Sequence, residues 1–233
     1  LTLVGHIEPA DGLARAERYL GSLPSRAGTL RANHAQLPPL ETPERLEVIG
    51  DVPNDRLHIA FRLPVEGQSD FLAADLAMEA FAGLSMSRLV RRLVRTEQVA
   101  NSVQAHAMGF VDGVSLGLIA IDIAPGADPA YVETAFVEEL TAFLASGPRA
   151  IELEAALAQS ERAWLHALAS QEERADLISH YALLHGRAGY INDLLDELRA
   201  VTAEDITRVA RTWLTPPSRA VVAYLTRESA EAA

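Results

Sequence analysis

Cysteine and lysine are both absent from this sequence of 233 residues. Without cysteine the chain forms neither disulfide bonds nor thiolate metal sites, and because this fits a reducing compartment we expect a cytoplasmic location. Since lysine is absent, all 20 basic residues are arginine. Together with the abundant alanine, this composition is typical of a protein from a GC-rich bacterium.

Long apolar runs and clustered positive charge are also absent. No stretch reaches the roughly 18 apolar residues that indicate a membrane-spanning helix, and the first residues do not have the charged and apolar regions of a signal peptide. The formal net charge of −12 argues against nucleic acid, because binding to phosphates depends on clustered basic groups. We therefore expect neither a membrane nor nucleic acid as a partner.

Alternating and helical hydrophobic patterns predict the fold class. Two-residue alternation is typical of strands, and apolar residues three or four positions apart are typical of amphipathic helices. These patterns predict helices between strands at about 1–6, 45–50, 56–63, 101–110, 114–124 and 219–225. Strand pairs followed by several helices and a returning strand indicate an α+β fold: a mostly antiparallel sheet with helices packed on one face.

Residues 85–89 read Ser-Met-Ser-Arg-Leu and open a basic helix. This pattern resembles the "small-small-Ser-Arg-Leu-x-x-x-Leu-Arg" element of the pitrilysin/insulinase-type zinc peptidases, the inverted-zincin family that includes the mitochondrial processing peptidase. Residues 1–23, 38–44 and 201–225 resemble further elements of the same family, in the same order. The resemblance implies the C-terminal, non-zinc-binding domain of such a peptidase, with the fold of one mitochondrial processing peptidase-like half.

One motif of that family is missing. Its peptidases bind zinc through H-x-x-E-H on a helix, with two histidine ligands and a glutamate as general base, and this sequence contains no H-x-x-E-H. The nearest pair, His180 and His185, is spaced by five, which turns the two side chains to different sides of a helix. The resemblance therefore implies three parts: 1–23 as the last strand and helix of a preceding, absent domain, 24–44 as a linker, and 45–233 as the family's C-terminal domain.

The resemblance implies a non-catalytic C-terminal domain of a zinc-dependent metalloendopeptidase, which closes a peptide-binding chamber over a catalytic H-x-x-E-H domain upstream. The expected partners are that upstream domain, or a partner subunit of similar fold, and a peptide substrate. Zn2+ is expected in the parent protein, whereas the fragment is expected to hold no metal, cofactor or catalytic residue and to be inactive alone. The alternative is an inactive partner or scaffold subunit of the family, whose parent has no zinc site.

Candidate substrate-binding residues lie on the polar side of two predicted strands. In 56–63 large apolar residues alternate with mostly polar side chains, and a similar alternation marks 101–110. If these strands are neighbours, one face of the sheet carries a polar array, which the resemblance implies lines the peptide chamber. An antiparallel sheet with one solvated face explains the same pattern without any binding function. The candidates for the chamber are Arg56, His58, Arg62, Arg95, Gln104 and His106.

Arg95 is a candidate for a different reason. Some members of the family carry an arginine here and a tyrosine six or seven positions later, and the pair holds the substrate backbone near the zinc. In this sequence those later positions are Asn101 and Ser102, so the tyrosine is missing. An arginine at a helix C-terminus is also favoured by the helix dipole, and this interpretation fits Arg95 better.

Overall fold

The computed structural model describes residues 1–24, 37–38, 40–227 and 229, and these fall into two compact units. The first unit comprises the described parts of Leu1–Ala35 together with Glu161–Leu194, and the second comprises those of Gln36–Ser160 and Leu195–Ala233. Residues 161–194 therefore group with the N-terminal segment, whereas the sequence pattern placed them in a domain spanning 45–233.

The second unit is built on a five-stranded sheet. Its strands are β1 (Glu44–Gly50), β2 (Arg56–Leu63), β3 (Ala100–Met108), β4 (Ser115–Ile123) and β5 (Arg219–Thr226). They lie in the order β1-β5-β2-β4-β3, with β1 and β5 parallel and the other three neighbouring pairs antiparallel. The turn between β3 and β4 contains Gly113 with φ +87°, a left-handed conformation that glycine adopts without steric cost.

The helices are α1 (Pro9–Leu20), α2 (Ser69–Met78), α3 (Arg88–Val90), α4 (Pro129–Ser146), α5 (Ala150–Ala169), α6 (Gln171–Leu184), α7 (Tyr190–Arg199) and α8 (Ala203–Trp213). Helix α2 continues as a π-helical turn over Glu79–Gly83, and α3 continues likewise over Arg91–Thr96. Three of the described helix starts have the side-chain caps that favour initiation, and at α6 the hydroxyl of Ser170 accepts a hydrogen bond from the backbone of Glu173. Asp128 accepts a hydrogen bond from the backbone of Ala130, and Thr202 forms a capping box with Asp205. Among the described residues, no helix combines the length and apolar character needed to cross a bilayer.

The hydrophobic core lies between one face of the sheet and helices α2, α4 and α8. Along β2, Leu57, Ile59, Phe61 and Leu63 are at most 1% exposed, and each contributes roughly 1.5–3 kcal/mol through burial. The ring of Phe136 on α4 lies 6.4 Å from that of Phe61. The α+β prediction, with a mostly antiparallel sheet and helices packed on one face, is confirmed.

A buried ion pair joins three helices above this core. The guanidinium of Arg88, at the start of α3, donates to the carboxylate of Glu152 in α5, at 2.9 Å for the closest contact, and to the carbonyl of Gly147 at the end of α4. Burial alone would raise the pKa of Glu152, but hydrogen bonds from Arg88 and Arg149 outweigh it and lower that pKa to about 2. Arg88 is only 8% exposed, although it opens a basic helix.

The first unit contains α1, α6 and the adjoining parts of α5 and α7. Its aromatic side chains pack together, with the ring of Tyr181 lying 6.2 Å from Trp164 and 5.0 Å from Tyr190. The hydroxyl of Ser179 donates to that of Thr2 at 2.6 Å. Residues 1–6, predicted as a strand, do not form one, because the ladder that defines a strand requires hydrogen bonds from a neighbouring strand and the sheet does not include this segment.

Replacing Arg88 by alanine is expected to lower the free energy of unfolding by about 3–5 kcal/mol, because it leaves the buried carboxylate of Glu152 without its main partner. Urea unfolding of the variant measures this loss. Arg91→Ala, which removes an exposed arginine from the same helical segment, serves as the matched control and should change stability by less than about 0.5 kcal/mol. Equal losses for the two variants would contradict a structural role specific to Arg88.

Candidate functional site

The face of the sheet opposite the core carries the predicted polar array. Residues paired across neighbouring strands share a face, so the register identifies its members. His58 pairs with Ala120, which pairs with Gln104, and Ala60 connects in the same way through Leu118 to His106. Arg56 and Arg62 lie on the same side of β2. The structure therefore brings together five of the six candidates, on what we call the open face: Arg56, His58, Ala60, Arg62 and their register partners on the other four strands.

The sixth candidate, Arg95, does not belong to the open face. It is exposed at the end of the π-helical segment that follows α3, so its position agrees with a helix-end arginine. Ser102, one of the two positions where the tyrosine is missing, pairs with Asp122 of β4 and so lies on the open face. The arginine–tyrosine arrangement of other family members thus has no counterpart in this pair of positions.

Small and apolar side chains form the centre of the open face. Ala60 pairs with Ala220 on one side and Leu118 on the other, while Ala120 lies beside His58. These side chains are half-buried, and the alanines leave a shallow floor because they carry only a methyl group. We refer to Ala60, Ala120 and Ala220 as the alanine floor. More exposed apolar groups, Leu46 and Tyr224 among them, share the face with this floor.

The polar groups around the alanine floor are basic or neutral, apart from Asp122 and Glu44. The Arg56 guanidinium lies 3.9 Å from the Asp122 carboxylate, and the Arg62 guanidinium donates to the carbonyl of Pro38. The His58 ring stands edge-on to Tyr224, with 5.6 Å between ring centres. Burial lowers the pKa of His58 below its ordinary value of 6.5, and the positive charge of Arg56 lowers it further. His58 is therefore neutral at neutral pH.

The two histidines that the sequence analysis compared with a zinc motif lie closer together than expected. Their ring centres are 5.4 Å apart. The expectation that a spacing of five turns them apart was wrong, because α6 ends at Leu184 and His185 sits beyond it, where the chain bends back. The His185 ring is stacked on Tyr190 at 6.0 Å, so this histidine takes part in the aromatic packing of the first unit.

Two acidic residues, Asp75 on α2 and Glu79 at the start of the π-helical turn that follows it, were not singled out from the sequence. Asp75 and Glu79 lie one helical turn apart, where side chains meet, on a stretch that is otherwise apolar. Burial raises the pKa of Asp75 to about 7, and the negative charge of Glu79 contributes to the same shift. Burial also raises the pKa of Glu79. The i, i+4 spacing was the available signal, but only the packing around the helix shows that the carboxylates are half-buried and able to hold a proton near neutral pH.

Fold and open face together define a class of domain: an α+β unit with a polar surface on its sheet and no H-x-x-E-H in its sequence. The family model described as the Peptidase M16 inactive domain matches residues 1–160. The chain therefore belongs to the Peptidase M16 inactive domain family, as the resemblance in residues 85–89 implied. Among curated proteins, none matches the sequence.

Solved structures agree on the fold. A protease from Helicobacter pylori superposes with a TM-score of 0.84 at 17% identity, over 95% of this chain and 53% of that one. The inactive peptidase domain of a predicted zinc protease from Bordetella parapertussis gives a TM-score of 0.68 at 24% identity, over 76% of this chain and 94% of that one. A chain of Complex III2 from Candida albicans gives a TM-score of 0.65 at 16% identity, over 78% of this chain and 45% of that one. The present chain thus spans about half the length of the Helicobacter protein.

Replacing Asp75 by asparagine is expected to stabilise the protein at pH 8 by on the order of 1–3 kcal/mol, because asparagine has nearly the same shape and carries no charge that burial disfavours. The pKa of Asp75 is about 7 in the folded state and has its ordinary value of 3.8 in the unfolded state. The folded state therefore binds this proton more tightly than the unfolded state does. Stability therefore rises as the pH falls through 7, and the gain from Asp75→Asn should be smaller at pH 5. Urea unfolding of both proteins at pH 8 and pH 5 measures this gain in stability. The exposed Asp51→Asn is the control, and a gain independent of pH would contradict the assignment.

Proposed function

We propose that this chain is the non-catalytic domain that closes a peptide-binding chamber in a zinc-dependent metalloendopeptidase. The observation that carries the proposal is the open face, whose arginines, histidines and glutamine surround the alanine floor in a domain of the Peptidase M16 inactive family. In the parent protein the open face lies toward a peptide held over a catalytic H-x-x-E-H domain. The chain contributes binding surface, and the bond-breaking groups come from that other domain.

The side chains of the open face are suited to binding and not to hydrolysis. Guanidinium groups form charge-assisted hydrogen bonds with peptide carbonyls and carboxylates. A catalytic zinc, by contrast, needs three protein ligands in tetrahedral directions, and in this family H-x-x-E-H supplies two of them. Because the sequence has no such motif, Zn2+ in the parent belongs to the other domain, together with the general base.

Exposed apolar side chains in the first residues support the proposed domain organisation. Leu1 is 83% exposed, Leu13 73%, Tyr19 71% and Leu23 66%. A surface with this many large apolar groups is typical of a contact site. We assign 1–23 to the end of a preceding domain that covers these groups, 24–44 to a linker and 45–233 to the C-terminal domain. The cytoplasmic location also stays a prediction, which fractionation of the source cells tests.

An inactive partner or scaffold subunit is the second candidate. The fold similarity to a chain of Complex III2 favours it. The missing tyrosine at 101 or 102 instead suits relatives in which this domain belongs to the zinc-bearing chain and a partner supplies the arginine–tyrosine pair. The two candidates differ in the parent's coding sequence: a peptidase has H-x-x-E-H followed by a later glutamate upstream of this domain, and a scaffold subunit lacks them. Reading that sequence decides between the two.

The purified chain is expected neither to cleave unstructured peptides nor to retain zinc stoichiometrically after dialysis, because it lacks the ligand helix. Metal analysis and a fluorogenic peptide assay measure both properties. The full-length parent, purified in the same way, is the positive control. One tightly held zinc per chain, or chelator-sensitive cleavage by the chain alone, would contradict the proposed division of roles.

In the full-length parent, replacing Arg56 and Arg62 by alanine is expected to raise KM several-fold and to change kcat by less than about two-fold, since the lost contacts bind substrate and transition state alike. Steady-state kinetics on one peptide measures the two constants. Arg91→Ala, outside the open face, is the matched control. A fall in kcat with an unchanged KM would show that these arginines do not act as chamber-lining residues.

A further inference from the structure

The two arginines of the open face are less fully paired than three other arginines of the second unit. Arg45, Arg88 and Arg219 each hold a carboxylate oxygen, at 3.0, 2.9 and 3.1 Å. Arg56, by contrast, lies 3.9 Å from Asp122. Within the described part of the chain, Arg62 holds no carboxylate, and its guanidinium donates to the carbonyl of Pro38.

In this arrangement the Arg62 guanidinium keeps N–H donors that are available to bind an anion. A guanidinium has five N–H donors in a planar fork, and the bond to Pro38 uses one end of it. The remaining donors match the two oxygens of a carboxylate, which arginine binds in a bidentate manner. Because Pro38 already orients the side chain and the residue is half-buried, less rotational freedom is lost on binding. At Arg56 the nearby Asp122 offsets part of the positive charge, so Arg62 is the stronger of the two sites.

The alanine floor lies between these arginines and sets the shape of a ligand. Arg56 and Arg62 are six positions apart on β2, which corresponds to about 20 Å of strand, or about six residues of extended peptide. We propose, resting on the proposed function above, that the open face selects extended peptides that carry a carboxylate, and that Arg62 binds this carboxylate at one end of the alanine floor. The overall charge of −12 repels acidic peptides at long range. The preference for a carboxylate therefore has to come from the short-range contact with Arg62.

Binding of matched peptides to the purified chain tests this selectivity. The probes are two fluorescein-labelled nine-residue peptides, identical except that one has glutamate where the other has glutamine, and fluorescence anisotropy gives both dissociation constants. The glutamate peptide is expected to bind about ten-fold more tightly, as one charge-assisted hydrogen-bonded pair provides. Arg62→Gln should remove this preference, because it weakens binding of the glutamate peptide more than binding of the glutamine peptide. Arg56→Gln should reduce the preference less, and the control Arg91→Gln should not change it.

The outcomes separate this inference from the proposed function. Equal binding of both peptides by the unmodified chain overturns the selectivity and leaves peptide binding intact. An equal loss of affinity for both peptides in Arg62→Gln also overturns it, because the preference for the carboxylate then does not depend on Arg62. Binding of neither peptide to the unmodified chain overturns the inference and the proposed function together. A preference that disappears only in the Arg62 variant supports the assignment.

Discussion

The alternation of side chains along β2 is the constraint on which both the core and the open face depend. β2 pairs with β5 and with β4 near the middle of the sheet, and its odd-numbered positions from Leu57 to Leu63 are buried beneath the helices. A shift of register by one residue would place arginine and histidine in the core and four large apolar side chains in solvent. The packing energy of the core therefore also determines on which side of the sheet the proposed binding groups lie, without any interaction among those groups.

The helical layer depends in turn on Arg88. One guanidinium contacts the end of α4 and the start of α5 while belonging to α3, so it fixes three helix termini with a single side chain. Gly147 makes this possible. Its φ of +69° ends α4, and a Cβ there would lie 2.3 Å from the hydroxyl of Thr207. The serine-arginine-leucine pattern that first indicated the family thus marks a structural element, away from the proposed peptide surface.

Local patterns explain which parts of the structure were predictable. The alternation in β2 depends on neighbouring residues alone and was predicted, and the side-chain caps at Asp128 and Thr202 are equally local features. Arg88 and Arg91 look alike in sequence, and only the distant carboxylate of Glu152 distinguishes them. The proximity of His180 and His185 depends on where α6 ends, and the shifted pKa of Asp75 depends on packing around α2. The open-face candidates were identifiable because alternation fixes a face, but their pairing with Pro38 and Asp122 depends on tertiary contacts.

The contact between Arg62 and Pro38 has a thermodynamic consequence. Pro38 lies in the segment assigned as a linker, and Arg62 lies on the surface assigned to the ligand. A ligand that strengthens or displaces this hydrogen bond changes the position of Pro38, and by reciprocity the position of Pro38 changes the affinity for that ligand by the same factor. Whatever holds Pro38 in place therefore belongs among the determinants of affinity, although it need not touch the peptide.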